Sequence, residues 1–197
     1  AQSILTDGGV EAVSTRLMNG DIVETLSDLE KDAELLVIGK RGEGADFAKL
    51  HLGSNLERVV RSSKRPVFVA ARSFVDIKTV LVAFDGGPSA MKAVDYIATS
   101  PIFAGVSIRL LTVGNESGDA WAKLEAAKAR LATAGLDVTA DIQAGQAETV
   151  ITRVVEQDGV DLLIMGAYGH SRIRSLFIGS TTSEMMRSCK IPVLLFR

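Results

Sequence analysis

The sequence is poor in the residues that build the commonest metal and nucleophile sites. A single cysteine, Cys189, in 197 residues excludes an internal disulfide and a structural cysteine–zinc centre, and it reads as a buried thiol. The two histidines, His51 and His170, fall in separate loops, so they support neither a histidine-based zinc site nor a Ser-His-Asp constellation. The formal net charge is only −2, which gives no general attraction to nucleic acid or to an anionic membrane. No apolar run approaches the roughly 18 residues of a membrane span. No Gly-x-x-x-x-Gly-Lys-Ser/Thr loop is present, which argues against a motor-type NTPase. No Gly-x-Gly-x-x-Gly follows a first strand, which argues against NAD. The expectation is a cytoplasmic protein with neither nucleic acid nor membrane as partner. The sequence begins at Ala1 rather than a methionine and is silent about a leader.

What is present is a core and a repeat. Hydrophobic residues make up 47% and charged residues 23%, as in a globular protein. The stretch from Leu35, LLVIGKRGEGADFAKLHLGSNLERVVRSSKRPVFVA, is echoed from Leu162 by LLIMGAYGHSRIRSLFIGSTTSEMMRSCKIPVLLF. Gly39, Gly42, Gly53, Ser54, Arg61 and Pro66 match Gly166, Gly169, Gly179, Ser180, Arg187 and Pro192. Ten residues separate Gly42 from Gly53 and nine separate Gly169 from Gly179. A unit this long is a duplicated domain rather than a solenoid repeat, whose units run to roughly 20–50 residues. The boundary is expected near Arg72–Lys78, giving an incomplete domain over 1–74 and a complete one over 75–197.

The second copy alternates short apolar strands with helical stripes. Strands are expected at Lys78–Phe84, Val106–Val113, Asp137–Ala144, Asp161–Gly166 and Ile191–Phe196. Between them, Ala90, Ala93, Val94 and Ile97, then Trp121, Leu124, Lys128 and Leu131, then Val150, Ile151, Val154 and Val155 recur at helical spacing, and a short helix starts near Ser180. This order implies α/β architecture: an open parallel five-stranded sheet with helices on both faces. The first copy shows only the back of the plan. Val10–Leu17 matches the third strand, Ile22, Val23, Leu26 and Leu29 mark a helix, and the first two strands with their helices have no counterpart. Asp7-Gly8-Gly9 reads as a turn.

The chemistry concentrates in the loop after the fourth strand of the second copy. Gly166 and Gly169 precede nine residues and then Gly179-Ser180-Thr181. Glycines let backbone N–H groups approach an anion. A helix beginning at Ser180 turns free N–H groups and its positive dipole end toward a ligand. The Ser180 and Thr181 hydroxyls add donors, and Arg172 and Arg174 add positive charge. His170 reads equally as a phosphate contact and as a solvated loop residue. Such a cradle sits at the carboxyl ends of the strands, the ligand edge of an open α/β sheet. Any strand-to-helix loop is also rich in Gly and Ser for turn geometry and capping.

The Gly-x-x-Gly, nine residues, Gly-Ser/Thr pattern resembles the ATP-binding subgroup of the universal stress protein family. The resemblance implies an adenine nucleotide (ATP, or AMP or ADP), with Mg²⁺ held through the phosphates. It places Asp85 near the adenine and the backbone of Val113 on the base. It matches Ala83, Met165, Gly166, Gly169, Gly179, Ser180 and Thr181 to the remaining contact positions. Gly87 stands where the family often has Ser. Asp85-Gly86-Gly87-Pro88 also makes a good turn and helix entry without any ligand.

No general base or arginine finger is recognisable, so efficient phosphoryl transfer is not expected. The resemblance is compatible with weak ATPase activity or autophosphorylation. The favoured reading is nucleotide binding in stress response or regulation; the alternative is a non-nucleotide protein-interaction module. The resemblance further implies that the final strands, Pro66–Ala71 and Ile191–Phe196, pair as an intramolecular pseudo-dimer. The incomplete first copy then exposes apolar surface and favours homo-oligomers.

Overall fold

A computed structural model describes residues 2–39, 54–167 and 180–197. In the C-terminal part, five strands form one parallel block: β3 (Thr79–Ala83), β4 (Ser107–Val113), β5 (Asp137–Gln143), β6 (Leu162–Gly166) and β7 (Val193–Phe196). The N-terminal part adds β1 (Leu36–Gly39) and β2 (Val67–Ala70), and the whole is a single seven-stranded sheet of order β1-β2-β7-β6-β3-β4-β5. Every neighbouring pair is parallel except β2 with β7. There Val67, Phe68 and Val69 face Leu195, Leu194 and Val193 in antiparallel register. The two final strands therefore pair with each other, and neither β2 nor β7 leaves an apolar edge open.

Successive residues Val80, Leu81 and Val82 are all buried, as are all four residues of β7. Strands with both faces buried need helices on both sides. One face is covered by α4 (Pro88–Thr99) and α5 (Gly118–Thr133), which bury Ala90, Ala93, Val94 and Ile97 and Leu124, Ala127 and Leu131. Trp121, expected on the α5 stripe, is an exposed residue; the buried stripe runs through Ala127 instead. The other face is covered by α6 (Ala147–Gln157), α7 (Ser180–Ser188), α2 (Ile22–Leu29) and α3 (Ser54–Ser62). Local signals start these helices. Ser117 caps α5 by accepting from the Ala120 N–H. Asp21 caps α2 by accepting from the Val23 and Glu24 N–H groups. Pro88 opens α4 at a position whose missing N–H costs nothing.

The N-terminal part follows the repeat with two differences. Val10–Leu17 was expected to be a strand, and it forms no strand in the structure. In the C-terminal part the third strand pairs only with β4. The chain holds no counterpart of β3 or β4 in its N-terminal part, so Val10–Leu17 has no ladder to join, and an unpartnered strand is not stable in water. The second difference is α1 (Gln2–Asp7). It closes with the Gly9 N–H on the Thr6 carbonyl and the Val10 N–H on the Leu5 carbonyl. In α5 the Gly135 N–H bonds to Ala132 and the Leu136 N–H to Leu131 in the same way. Gly9 and Gly135 both take a left-handed conformation, φ 87° and 81°, so the two ends share one glycine-terminated cap. Thus α1 corresponds by repeat position to the end of α5, and the Asp7-Gly8-Gly9 turn is its cap.

Where α4 and α5 cover the C-terminal part, no helix among the described residues takes their place over β1, while Phe68 of β2 packs at the margin of the C-terminal core. Val37 on β1 is 67% exposed, whereas Ile164, its counterpart on β6, is fully buried. Residues 71–78, between β2 and β3, form no regular element, and Phe74 there is exposed.

Candidate functional site

The parallel strands bring the sequence-predicted residues to one edge of the sheet. Ala83 ends β3, Val113 ends β4, Gly166 ends β6 with Met165 beside it, and Ser180 and Thr181 open α7. Register ties them together: Ala83 pairs with Leu111 on one side and with Met165 on the other. From β3 the chain proceeds outward to β4, while β6 lies on its opposite side. The carboxyl end of β3 is therefore the topological switch point, where an open α/β sheet forms a crevice. Gly169, His170 and Gly179, and the first-copy residues Gly42, His51 and Gly53, lie outside the described residues.

Hydrogen bonds fix the rim of the crevice. The Phe84 N–H donates to the Leu111 carbonyl at 2.8 Å, and Thr112 Oγ1 donates to the Phe84 carbonyl at 2.8 Å. Asp85 then turns the chain: its Oδ1 accepts from the Gly87 N–H at 2.8 Å while Gly86 takes φ 70°. This is an Asx turn that leads into α4. The turn role weighed for Asp85 in the sequence is thus present, and the residue is also exposed at the edge. Gly87 is matched to it, because a Cβ at 87 would stand 2.9 Å from Asp85 Oδ1. The Ser common in the family would therefore push the carboxylate to another orientation.

Other predicted residues have mainly packing environments. Met165 is buried in the core under α6 and α7, so only its backbone is available to a ligand. Gly166 approaches α4 closely; a Cβ there would lie 3.0 Å from Ser89 Cβ. Its carbonyl accepts from Thr182 Oγ1 at 3.1 Å, anchoring the first turn of α7 to the end of β6. Val113 is half-buried against the same core.

Two residues that sequence reasoning passed over also reach this edge. Lys123 of α5 lays its chain along Gly86, where a Cβ would meet Lys123 Cδ at 3.0 Å, and its ammonium pairs with Asp119 at 2.7 Å. Glu148, in the first turn of α6, accepts from Thr181 Oγ1 at 2.7 Å and from Ser180 Oγ at 3.4 Å. A hydrogen bond from its own N–H, then those two hydroxyls, hold the Glu148 carboxyl below the ordinary glutamate range against the opposing effect of burial. The clue to Lys123 was its place one turn into a helix that starts at the sheet's ligand edge. Nothing in the sequence paired Glu148 with residues 32 and 33 positions further on. Among the described residues no three His, Cys, Asp or Glu side chains gather to hold a metal ion, and no helix is long and apolar enough to cross a membrane. A separate cavity of about 430 Å³, lined by Thr152, Val155, Met185 and Cys189 among others, lies between the far ends of α6 and α7, away from this edge.

Comparison with known proteins agrees with this architecture. A sequence profile of the universal stress protein family matches residues 1–71 and 76–197. Universal stress protein Slr1230 of Synechocystis is 41% identical over 199 residues, covering all of this chain and 69% of its own length. The crystal structure of a universal stress protein from Archaeoglobus fulgidus superimposes with a TM-score of 0.76 at 25% identity, over 100% of this chain and 75% of that one. A universal stress protein in complex with cAMP superimposes with a TM-score of 0.52 at 25% identity, over 62% of this chain and 98% of that one. The chain belongs to the universal stress protein family.

Proposed function

We propose that the chain binds an adenine nucleotide, ATP or its AMP and ADP relatives, at the carboxyl edge of β3, β4 and β6, and acts in stress response or regulation with slow turnover or none. The observation that carries this reading is the convergence at the switch point. Ala83, the Asp85–Gly87 turn, Val113, Gly166 and the Ser180–Thr181 start of α7 occupy one edge of one parallel block. The residues suit such a ligand. The β3 and β4 ends offer backbone groups and a half-buried apolar wall for a base. The first turn of α7 offers two hydroxyls and helix-start N–H groups for phosphates. Gly169, His170 and Gly179 extend the phosphate side by sequence position. A divalent cation such as Mg²⁺ would arrive on the phosphates. The cAMP complex of the similar stress protein supports an adenine nucleotide as the ligand class.

Within this reading, 75–197 is the nucleotide-binding domain and 1–74 an incomplete second copy in the same cytoplasmic protein. The exposed Val37 on β1 favours a protein-contact role for the first copy and assembly into homo-oligomers. Purified protein, denatured and analysed by chromatography, should release an adenine nucleotide or, if it carries none, should bind ATP with Mg²⁺ in a calorimetric titration. Protein that carries no nucleotide and gives no heat with ATP would overturn the reading.

A further inference from the structure

Glu148 occupies the hydroxyl donors that the phosphate end of the proposed site would use. One oxygen, Glu148 Oε1, takes hydrogen bonds from both Thr181 Oγ1 and Ser180 Oγ. The residue stands in the first turn of α6, and its two partners stand in the first turn of α7. Both helices start at the carboxyl edge of the sheet and lie on the same face. Two positive helix ends therefore meet around one carboxylate, which is half-buried and ionised. A phosphate oxygen that reaches the same hydroxyls meets a negative charge already seated on them. It must take donors from Glu148, and it must approach a like charge at contact range, where partial burial leaves the repulsion incompletely screened. A divalent cation on the phosphates reverses the sign of that interaction, because the carboxylate then faces positive charge.

We propose that Glu148, held on the Ser180 and Thr181 hydroxyls, is a specificity-determining residue that makes the site select nucleotide phosphates carrying a divalent cation over the bare polyanion. This rests on the nucleotide reading above. The bond to Thr181 also ties α6 to α7, so a purely structural role has to be separated from an electrostatic one. Glu148→Gln does so, since the amide keeps an oxygen to accept from Thr181 and removes only the charge.

The test is ATP titration of the full chain by calorimetry, once with excess Mg²⁺ and once with EDTA, for wild type, Glu148→Gln and Glu148→Asp, with circular dichroism to confirm folding. Wild type is expected to favour the Mg²⁺ form. Glu148→Gln is expected to tighten metal-free binding by roughly tenfold and to shrink the preference for Mg²⁺ by about the same factor. Glu148→Asp, which retains the charge, should retain most of the preference. A Glu148→Gln protein with the wild-type preference overturns this inference and leaves the nucleotide reading intact. Wild-type protein that binds ATP in neither condition overturns both.

Discussion

The same strand occurs twice in this chain and meets two different environments. In β6, Leu163-Ile164-Met165 is buried between α6 and α7 on one face and α4 on the other. In β1, Leu36 is buried, Val37 is 67% exposed and Ile38 is half-buried. The sequences are nearly interchangeable, so burial is set by what the rest of the chain supplies. The C-terminal part supplies β3, β4, α4 and α5; the N-terminal part supplies only α1 from that set. The lesson is that an apolar strand signals a capacity to be covered, and its neighbours decide whether it is.

The largest test of this contrast is stability. Ile164→Ala should destabilise the chain by about 2–5 kcal/mol, the range for emptying a well-packed isoleucine site. Val37→Ala, at the same place in the repeat, should change stability by less than about 0.5 kcal/mol. Urea unfolding followed by circular dichroism decides it. Equal costs would mean that β1 is covered in solution, and light scattering would then find the partner copy.

A smaller contrast concerns the ends of the helices that precede the final strands. In the N-terminal part the buried carboxylate of Glu30 accepts from Ser63 Oγ at 2.8 Å and from the Lys64 N–H at 3.0 Å, while its carbonyl accepts from Arg65 Nε at 2.9 Å. In the C-terminal part Cys189 stands at the repeat position of Ser63 and lines a cavity. Glu30→Ala should cost about 1–3 kcal/mol, since it removes the acceptor of the buried Ser63 hydroxyl and of the partly buried Lys64 N–H. Glu156→Ala on the other side, at an exposed pair 3.9 Å from Lys190, should cost little. Similar losses in thermal unfolding would erase the distinction.

The smallest effects concern the ligand edge. Ser180→Ala should weaken ATP binding by roughly 1 kcal/mol, the value of one hydrogen bond. Ser54→Ala, its first-copy counterpart, should leave ATP affinity unchanged. Gly179→Val, which by sequence position adds bulk on the proposed phosphate side, should weaken binding more than Ser180→Ala. A Ser54→Ala loss equal to that of Ser180→Ala would move the site into the first copy.

Much of this was legible beforehand for a physical reason. Runs such as Val80-Leu81-Val82 read as a strand covered on both faces, and Pro88 marks a helix start by local geometry alone. The antiparallel seam of Val67–Val69 with Val193–Leu195 followed from the need to cover two apolar edges, together with the family resemblance. Val10–Leu17 misled because its match to the third strand was taken without asking for a pairing partner. Trp121 misled because hydrophobicity was counted without regard to its position at the open end of α5. Glu30 and Glu148 were illegible for a different reason. Each is an ordinary helix-end glutamate whose meaning lies in a contact more than 30 positions away, and only the fold brings those residues together.

The proposal at the centre of this account is one nucleotide site per chain, within residues 75–197. Calorimetric titration of nucleotide-free protein with Mg²⁺-ATP measures it directly through the stoichiometry. The account predicts one nucleotide per 197-residue chain. Two per chain would show that residues 1–74 also hold a nucleotide, and none would remove the site altogether.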